Sequence, residues 1–346
     1  MTNLDARPQE TLAEPSGNCG PRVEFFSARE VPLGGLRSMQ VQRTLPQREL
    51  PTVGAWCFLD QFGPDSGPAM HVLPHPHTGL QTVTWPIWGR IHHRDSLGND
   101  VFVEPGELNL MTAGRGIAHS EVSAEGEGLF GLQFWAALPG SLPGEDQDWG
   151  ASFQQVRDLP VLRAPGGQVT VFVGSVSLAG GQPATGTSPA VVHTPLVGAD
   201  GALNAGGELS LGLDPEHEHA VLVVSGAVQI DGHRIEPGPL AYLGGQRHEL
   251  LISASEDARF VLLGGEPFTE DLVMFWNFVG RSHEEVAEAR AAWEAQTDTA
   301  AGLVAAGRPF IEPGQQLRFG LVPGHGEDRI PAPQVPPVRL TPRRRR

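Results

Sequence analysis

From Val23 to Leu138 the chain runs in short stretches of period two, the spacing at which side chains alternate between the two faces of a strand. Leu108 and Leu110 alternate with Asn109; Leu132 and Phe134 alternate with Gln133 and Trp135. Turn residues cut these runs, as Pro105-Gly106 follows Val101-Phe-Val103. A second block repeats the pattern: Val169, Val171 and Val173 alternate with Gln168, Thr170 and Phe172, and Ala220 to Val224, Val228, Ile230 and Phe260 to Leu263 follow. Short apolar runs with this punctuation predict strands, and an all-β chain. One helix is predicted over about 283–296. Ser282 with Glu285 forms a capping box, and Val286, Ala289 and Trp293 share one face.

The order of these signals predicts the organisation. Residues 1–22 are polar and read as a mobile leader; 23–138 as a first barrel; 139–167, with Pro-Gly at 139–140, 143–144 and 165–166, as a connector; 168–330 as a second barrel carrying the helix; and 331–346 as a disordered Pro/Arg tail. Each half has an extended run ending in glycine (Gly89, Gly226), a polar turn, a Pro-Gly (105–106, 237–238) and then a histidine (His119, His248). That is the layout of a cupin barrel written twice: two tandem double-stranded β-helix, jelly-roll-like barrels with a short C-terminal helix.

Composition narrows the chemistry. At 346 residues the chain is long enough for two domains. All 24 basic residues are arginine, so a Walker A loop, a Schiff-base lysine and a lysine base are excluded. The net charge is −16, and −21 without the last eight residues, which hold five arginines. Such a body repels polyphosphates, so no nucleic-acid contact is expected of it, and Arg343 to Arg346 are read as a solvated tail. Cys19 and Cys57 are too few for a cysteine zinc site. The start lacks an apolar signal-peptide core, and no apolar run approaches a membrane span, so the expected location is cytoplasmic. No Gly-x-Ser-x-Gly elbow supports serine hydrolysis.

Of 13 histidines, six fall between positions 71 and 119. The informative ones form two pairs, His75-Pro76-His77 and His119-Ser120-Glu121. In extended chain, residues i and i+2 share a face roughly 6–7 Å apart, so two such pairs on neighbouring strands present three imidazoles and one carboxylate inward. Imidazole and carboxylate without thiolate suit a borderline divalent metal, and four ligands on an octahedral ion leave two positions open. Gly89 follows His77 by twelve residues, the cupin register, but the usual glutamate position is Gln81 or Thr82; Glu121 then supplies the carboxylate. In His217-Glu218-His219 the register differs. His219 precedes Gly226 by seven residues; the five-residue shift is about 17 Å of strand and reverses the face, so these read as exposed strand residues and one metal per chain is expected. His92 and His93 face opposite ways, so at most one enters the barrel, and neither is taken as catalytic. Trp85, Met111 and Phe134 are core candidates.

The runs Phe58-Leu-Asp-Gln-Phe-Gly-Pro64, Pro74-His-Pro-His-Thr-Gly79, Thr82-Val-Thr-Trp85, His93-Arg-Asp-Ser-Leu-Gly98, Met111-Thr-Ala-Gly-Arg-Gly-Ile-Ala-His119, Gly264-Gly-Glu-Pro267 and Trp276-Asn-Phe-Val279 resemble the pirin family, in order and over about residues 23 to 325. The resemblance implies a bicupin with one iron-type site in the first barrel, held by His75, His77, His119 and Glu121. The ion implied is Fe(II), with other first-row divalent metals also fitting. Some members resemble quercetin 2,3-dioxygenases, taking a small aromatic substrate and O2, with Glu121 as catalytic proton acceptor; others act as redox-sensing partners of proteins such as transcription factors. Thr78 stands where pirins usually carry arginine, and Pro86-Ile-Trp-Gly89 replaces a Leu-Leu-Glu-Gly-like run, which bears on pocket shape.

Overall fold

The protein is described here by a computed structural model covering residues 11–13, 20–33, 39–65, 69–124, 127–140, 149–179, 184–305, 317–326 and 328–342. Its first barrel is a seven-stranded sheet facing a four-stranded one. The larger runs Ser152–Val156, Leu108–Thr112, Leu80–Trp88, Leu129–Ala137, Trp56–Asp65, Met39–Leu45, Arg29–Leu33; the smaller runs His71–His77, Ile117–Ser123, Ile91–Asp95, Asp100–Val103. The second barrel pairs a seven-stranded sheet with a six-stranded one. The two seven-stranded sheets lie back to back, which buries the central strands on both faces.

This arrangement gives the alternation a meaning beyond core and solvent. Val83, Leu110 and Phe134 are cross-strand partners, as are Trp85 and Leu132, so they share a face. That face meets the second barrel: Trp85 and Phe134 stack on Phe172 at 5.1 and 5.8 Å, and Trp85 Nε1 donates to Asp200 at 2.8 Å. The intervening residues, Thr84, Asn109 and Gln133, look into the first barrel. The apolar positions build the joint between barrels, and the polar ones line the interior.

Gly89 and Gly226 end equivalent hairpin strands in the two barrels with φ of 77° and 67°. A Cβ at Gly89 would meet the Gly128 carbonyl at 2.4 Å, so both handedness and space demand glycine there.

Several expected boundaries are corrected. The 139–167 connector carries a strand of each barrel: Ser152–Val156 pairs with Leu108–Thr112, and Val161–Ala164 with Gly167–Val173. Glu24–Phe26, expected in the first barrel, pairs with Leu240–Gly244 of the second. Thr11–Ala13 of the expected mobile leader pairs with Leu272–Phe275, while residues 1–10 and 14–19 lie outside the described residues. The helix runs His283–Ala305, capped as predicted by Ser282 Oγ on the Glu285 N–H. It follows the second barrel in sequence but covers the first. Val286, Ala289 and Trp293 share an apolar cluster with Val41, Phe62, Val72, Ile91 and Ala118 of the first barrel, because the hairpin Leu272–Phe275/Phe278–Gly280 carries the chain across. The tail is not disordered over 331–342: Ala332 and Leu340 are buried in that cluster, and Arg339 pairs with Glu284. Arg343 to Arg346 lie outside the described residues. Leu340→Ala should therefore lower stability by about 2–3 kcal/mol, the cost of emptying a buried leucine site, read as a shift in the urea midpoint; an unchanged midpoint would return this segment to the solvated tail.

Candidate metal centre

The centre is built on three neighbouring strands of the smaller sheet. His71–His77 is an edge strand, which tolerates Pro74 and Pro76 because it needs no N–H on its outer side. Within Ile117–Ser123, His119 lies opposite His75 on one side and Asp95 on the other, and Glu121 lies opposite His93. A register shift falls between His119 and Glu121. Gly114, with φ of 53°, turns the chain into this strand, and a Cβ there would lie 1.7 Å from the Trp149 carbonyl oxygen.

His75, His77 and His119 are fully buried, and one ring nitrogen from each lies within 4.8 Å of the others. His77 Nε2 is 3.1 Å from His119 Nε2. The ring orientations follow from the backbone. His75 Nδ1 lies 2.9 Å from the Leu73 carbonyl and His77 Nδ1 3.2 Å from that of Asn277. Carbonyls only accept, so both rings carry their hydrogen on Nδ1 and turn an Nε2 lone pair inward. His75 Nε2 has no protein partner. Burial holds all three imidazoles well below the usual histidine range, so they are neutral, the form that ligates. Buried lone pairs aimed at one another are a poor arrangement for the protein alone and a good one around a cation. The donors therefore fit a divalent metal of intermediate softness.

Glu121 is equally buried, and its Oε1 accepts from Thr84 Oγ1 at 3.1 Å. The four expected residues do not form a single cluster: Glu121 groups with His119 and His93, and His119 is common to both groups. His93, set aside in the sequence, belongs here. It faces inward, stacked on Phe153 at 4.7 Å, with Nε2 3.2 Å from Asp95 Oδ2. His92 faces outward, paired with Asp100 and stacked on Phe102. Alternation alone leaves open which of the two enters; pairing with Glu121 decides it.

The opposite wall comes from the larger sheet. Trp135 meets His77 edge-on at 5.1 Å and stacks on Phe58 at 3.9 Å. Asn109, Thr84 and Gln133 are cross-strand partners and so share the inward face on which Thr84 reaches Glu121. Both amide atoms of Asn109, Gln133 Nε2 and Trp135 Nε1 are buried without a protein hydrogen-bond partner. Thr78 joins the hairpin, with the Val279 N–H on its carbonyl at 3.1 Å, so the residue that departs from the family pattern ties the ligand strand to the C-terminal region.

In His217-Glu218-His219 the expectation of exposed residues is corrected for two positions. Glu218 is fully buried and accepts from Gly54 N at 2.7 Å and Tyr242 Oη at 2.6 Å, which joins the barrels. His219 is buried inside the second barrel, its pKa lowered to about 3 by burial. Their strand belongs to the back-to-back sheet, so neither face meets water.

Two back-to-back jelly-roll barrels with a histidine-rich centre in the first define a bicupin protein with a candidate metal centre. The Pirin family profile matches residues 38–136 and the Pirin C-terminal cupin domain residues 198–299. The chain belongs to the pirin family. It is 42% identical over 287 residues to a Pseudomonas aeruginosa protein named "Putative quercetin 2,3-dioxygenase PA1205", covering 81% of this chain and 87% of that one. It is 32% identical to a pirin-like protein of Caulobacter vibrioides, over 78% of this chain and 92% of the relative. A crystal structure titled quercetin 2,3-dioxygenase, from Acinetobacter baumannii, superposes with a TM-score of 0.78 at 34% identity, covering 91% of this chain and 96% of the other.

Proposed function

We propose that this chain is a metal-dependent dioxygenase of flavonol-type aromatics, with one Fe(II) held by His75, His77 and His119 and with Glu121, which groups with His119 and His93, turning to the ion as its fourth ligand. The observation that carries the reading is the convergence of three neutral imidazoles, two with their lone pairs fixed inward by the Leu73 and Asn277 carbonyls. Three nitrogens and one carboxylate oxygen suit iron among the first-row divalent metals, and the quercetin dioxygenase names of the relatives support the substrate class. When bound, the ion would supply Lewis acidity and a redox-active centre through which electrons pass from the flavonol to O2.

The remaining work falls to side chains. Glu121 accepts the proton of the substrate hydroxyl, and Thr84 holds the carboxylate on its wall by donating to Oε1. Asn109 and Gln133 offer amide groups to the oxygens of a polyphenol, and the indole of Trp135, backed by Phe58, offers a flat apolar surface to its rings. The test is oxygen uptake by anaerobically Fe(II)-reconstituted protein given quercetin. Consumption of one O2 per quercetin supports the reading; metal-loaded protein that consumes no O2 with any chelating aromatic favours instead a non-enzymatic, redox-sensing partner of another protein.

An amide buried without a partner costs the fold about 1–3 kcal/mol, which suits a group kept for a ligand. Asn109→Leu should therefore raise the thermal midpoint while KM for the flavonol rises about tenfold and metal content stays the same. Loss of stability, or an unchanged KM, would remove Asn109 from the binding wall.

A further inference from the structure

His75 and His77 owe their inward lone pairs to carbonyls, but His119 has none. Its Nδ1 faces His93 Nδ1 at 3.4 Å and its Nε2 faces His77 Nε2 at 3.1 Å. Both neighbours are imidazole nitrogens, which donate or accept according to tautomer. A hydrogen on His119 Nε2 would bond to the lone pair of His77 and block the place of the ion. Something further out must put it on Nδ1.

That group is Asp95. It is fully buried; its Oδ1 accepts the N–H of Leu97 at 2.9 Å and of Asn99 at 3.1 Å, and Asn99 Nδ2 reaches Oδ1 and Oδ2 at 3.0 and 2.8 Å. A carboxylate accepts at both oxygens, so the remaining contact, at 3.2 Å, is a donation from His93 Nε2 to Oδ2. His93 then carries its hydrogen on Nε2 and offers a lone pair at Nδ1. His119 must answer with an Nδ1–H, which leaves Nε2 bare toward His75 and His77. Stacking on Phe153 holds the plane of His93 through which the sequence runs.

We propose that Asp95 and His93 are positioning residues that fix the tautomer of His119 and so complete the donor set of the metal centre. The proposal rests on the metal reading above and extends it to two residues outside the donor set proposed there. It acts through hydrogen-bond polarity, an arrangement in which a carboxylate orients a ligating histidine through an intermediate ring.

Polarity can be reversed with almost no change of shape. In Asp95→Asn the two backbone N–H groups and Asn99 Nδ2 keep the amide oxygen at the Oδ1 position; Asn99 gives up its second contact, at Oδ2, and the amide nitrogen falls at His93. It can only donate, so His93 must accept at Nε2 and carry its hydrogen on Nδ1. That hydrogen points at His119 Nδ1 and drives the His119 hydrogen onto Nε2, into the site. His93→Phe keeps a ring on Phe153 and only releases His119 to populate both tautomers. Zn(II) affinity should therefore fall about 10–100-fold in Asp95→Asn and by less in His93→Phe. A purely structural role gives the opposite order, because the first change is nearly isosteric and the second deletes a buried polar partner.

The decisive measurement combines Zn(II) titration with ring-nitrogen NMR of the Zn(II)-loaded parent, where His93 should be protonated at Nε2 and bare at Nδ1. Asp95→Asn binding Zn(II) as tightly as the parent, or more tightly than His93→Phe, overturns the proposal. If Asp95→Asn does not fold, the parent spectrum decides alone: His93 protonated at Nδ1 overturns it. Zn(II) uptake with the wrong His93 tautomer defeats this inference and leaves the metal reading standing; a parent that takes up no Zn(II) defeats both.

Discussion

Glu121→Gln should keep most of its metal while flavonol turnover falls by about 10²–10⁴, the usual loss when a general base is removed. The substitution preserves size and one carbonyl ligand but removes charge and basicity together. The three imidazoles come from two strands, and two of them are oriented by carbonyls that the substitution does not touch, so the ion keeps its nitrogen donors. Thr84 continues to donate to the remaining oxygen. His119→Ala separates the two functions from the other side: it removes the residue common to both clusters and should lose metal and activity together. Metal analysis beside steady-state rates distinguishes the cases. A Glu121→Gln protein that turns over quercetin at the parent rate with metal bound would take the base role from Glu121.

The metal-free protein should lose stability steeply as pH falls below about 6.5. His75, His77 and His119 are held well below the usual range by burial, and His219 is lowered to about 3. In the unfolded chain all four titrate near 6.5. Below that value the unfolded state binds protons that the folded state refuses. The stability associated with these rings is thus present above pH 6.5 and is lost as pH drops toward the folded-state values. Each ring contributes a slope of about 1.4 kcal/mol per pH unit, so four give about 5 kcal/mol per unit at full difference. Against a typical total of 5–15 kcal/mol, unfolding within one to three units is expected. Urea titrations at pH 7, 6, 5.5 and 5 measure it, and His219→Leu should remove about a quarter of the slope. A flat profile between pH 6 and 5 would mean that the rings are solvated.

The sequence showed the barrels through a feature that also misled. Period two located the strands, and Gly89 and Gly226 marked matching hairpins. But Leu110, Leu132 and Phe134 mark the contact between barrels, so the apolar phase pointed to a joint and the polar phase to the interior. No single-barrel reading of alternation distinguishes those two. That His75 shares a face with His77, and His119 with Glu121, was legible because i, i+2 spacing is local. His93 was not, because its membership depends on which residue of the neighbouring strand it faces. The role of Glu218 was hidden for the same reason: its partners, Gly54 and Tyr242, are 164 and 24 residues away. The C-terminal region was misassigned because a chain that leaves one barrel and returns to cover the other carries no local mark of doing so.

The His77 ring is held by the carbonyl of Asn277, 200 residues further along the chain. This separation gives the centre a timetable. A chain growing on the ribosome presents all three imidazoles once residue 119 has emerged, yet nothing orients His77 until the hairpin beyond Leu272 has been made and has docked. Zn(II) uptake by chains ending just before Leu272 should accordingly be much weaker than by the full chain, and equal uptake would remove the dependence. On this schedule the ion is chosen after synthesis, from whatever the cell offers a finished protein, and the choice is made by a rigid site rather than by a flexible nascent strand that would take the most avid metal first.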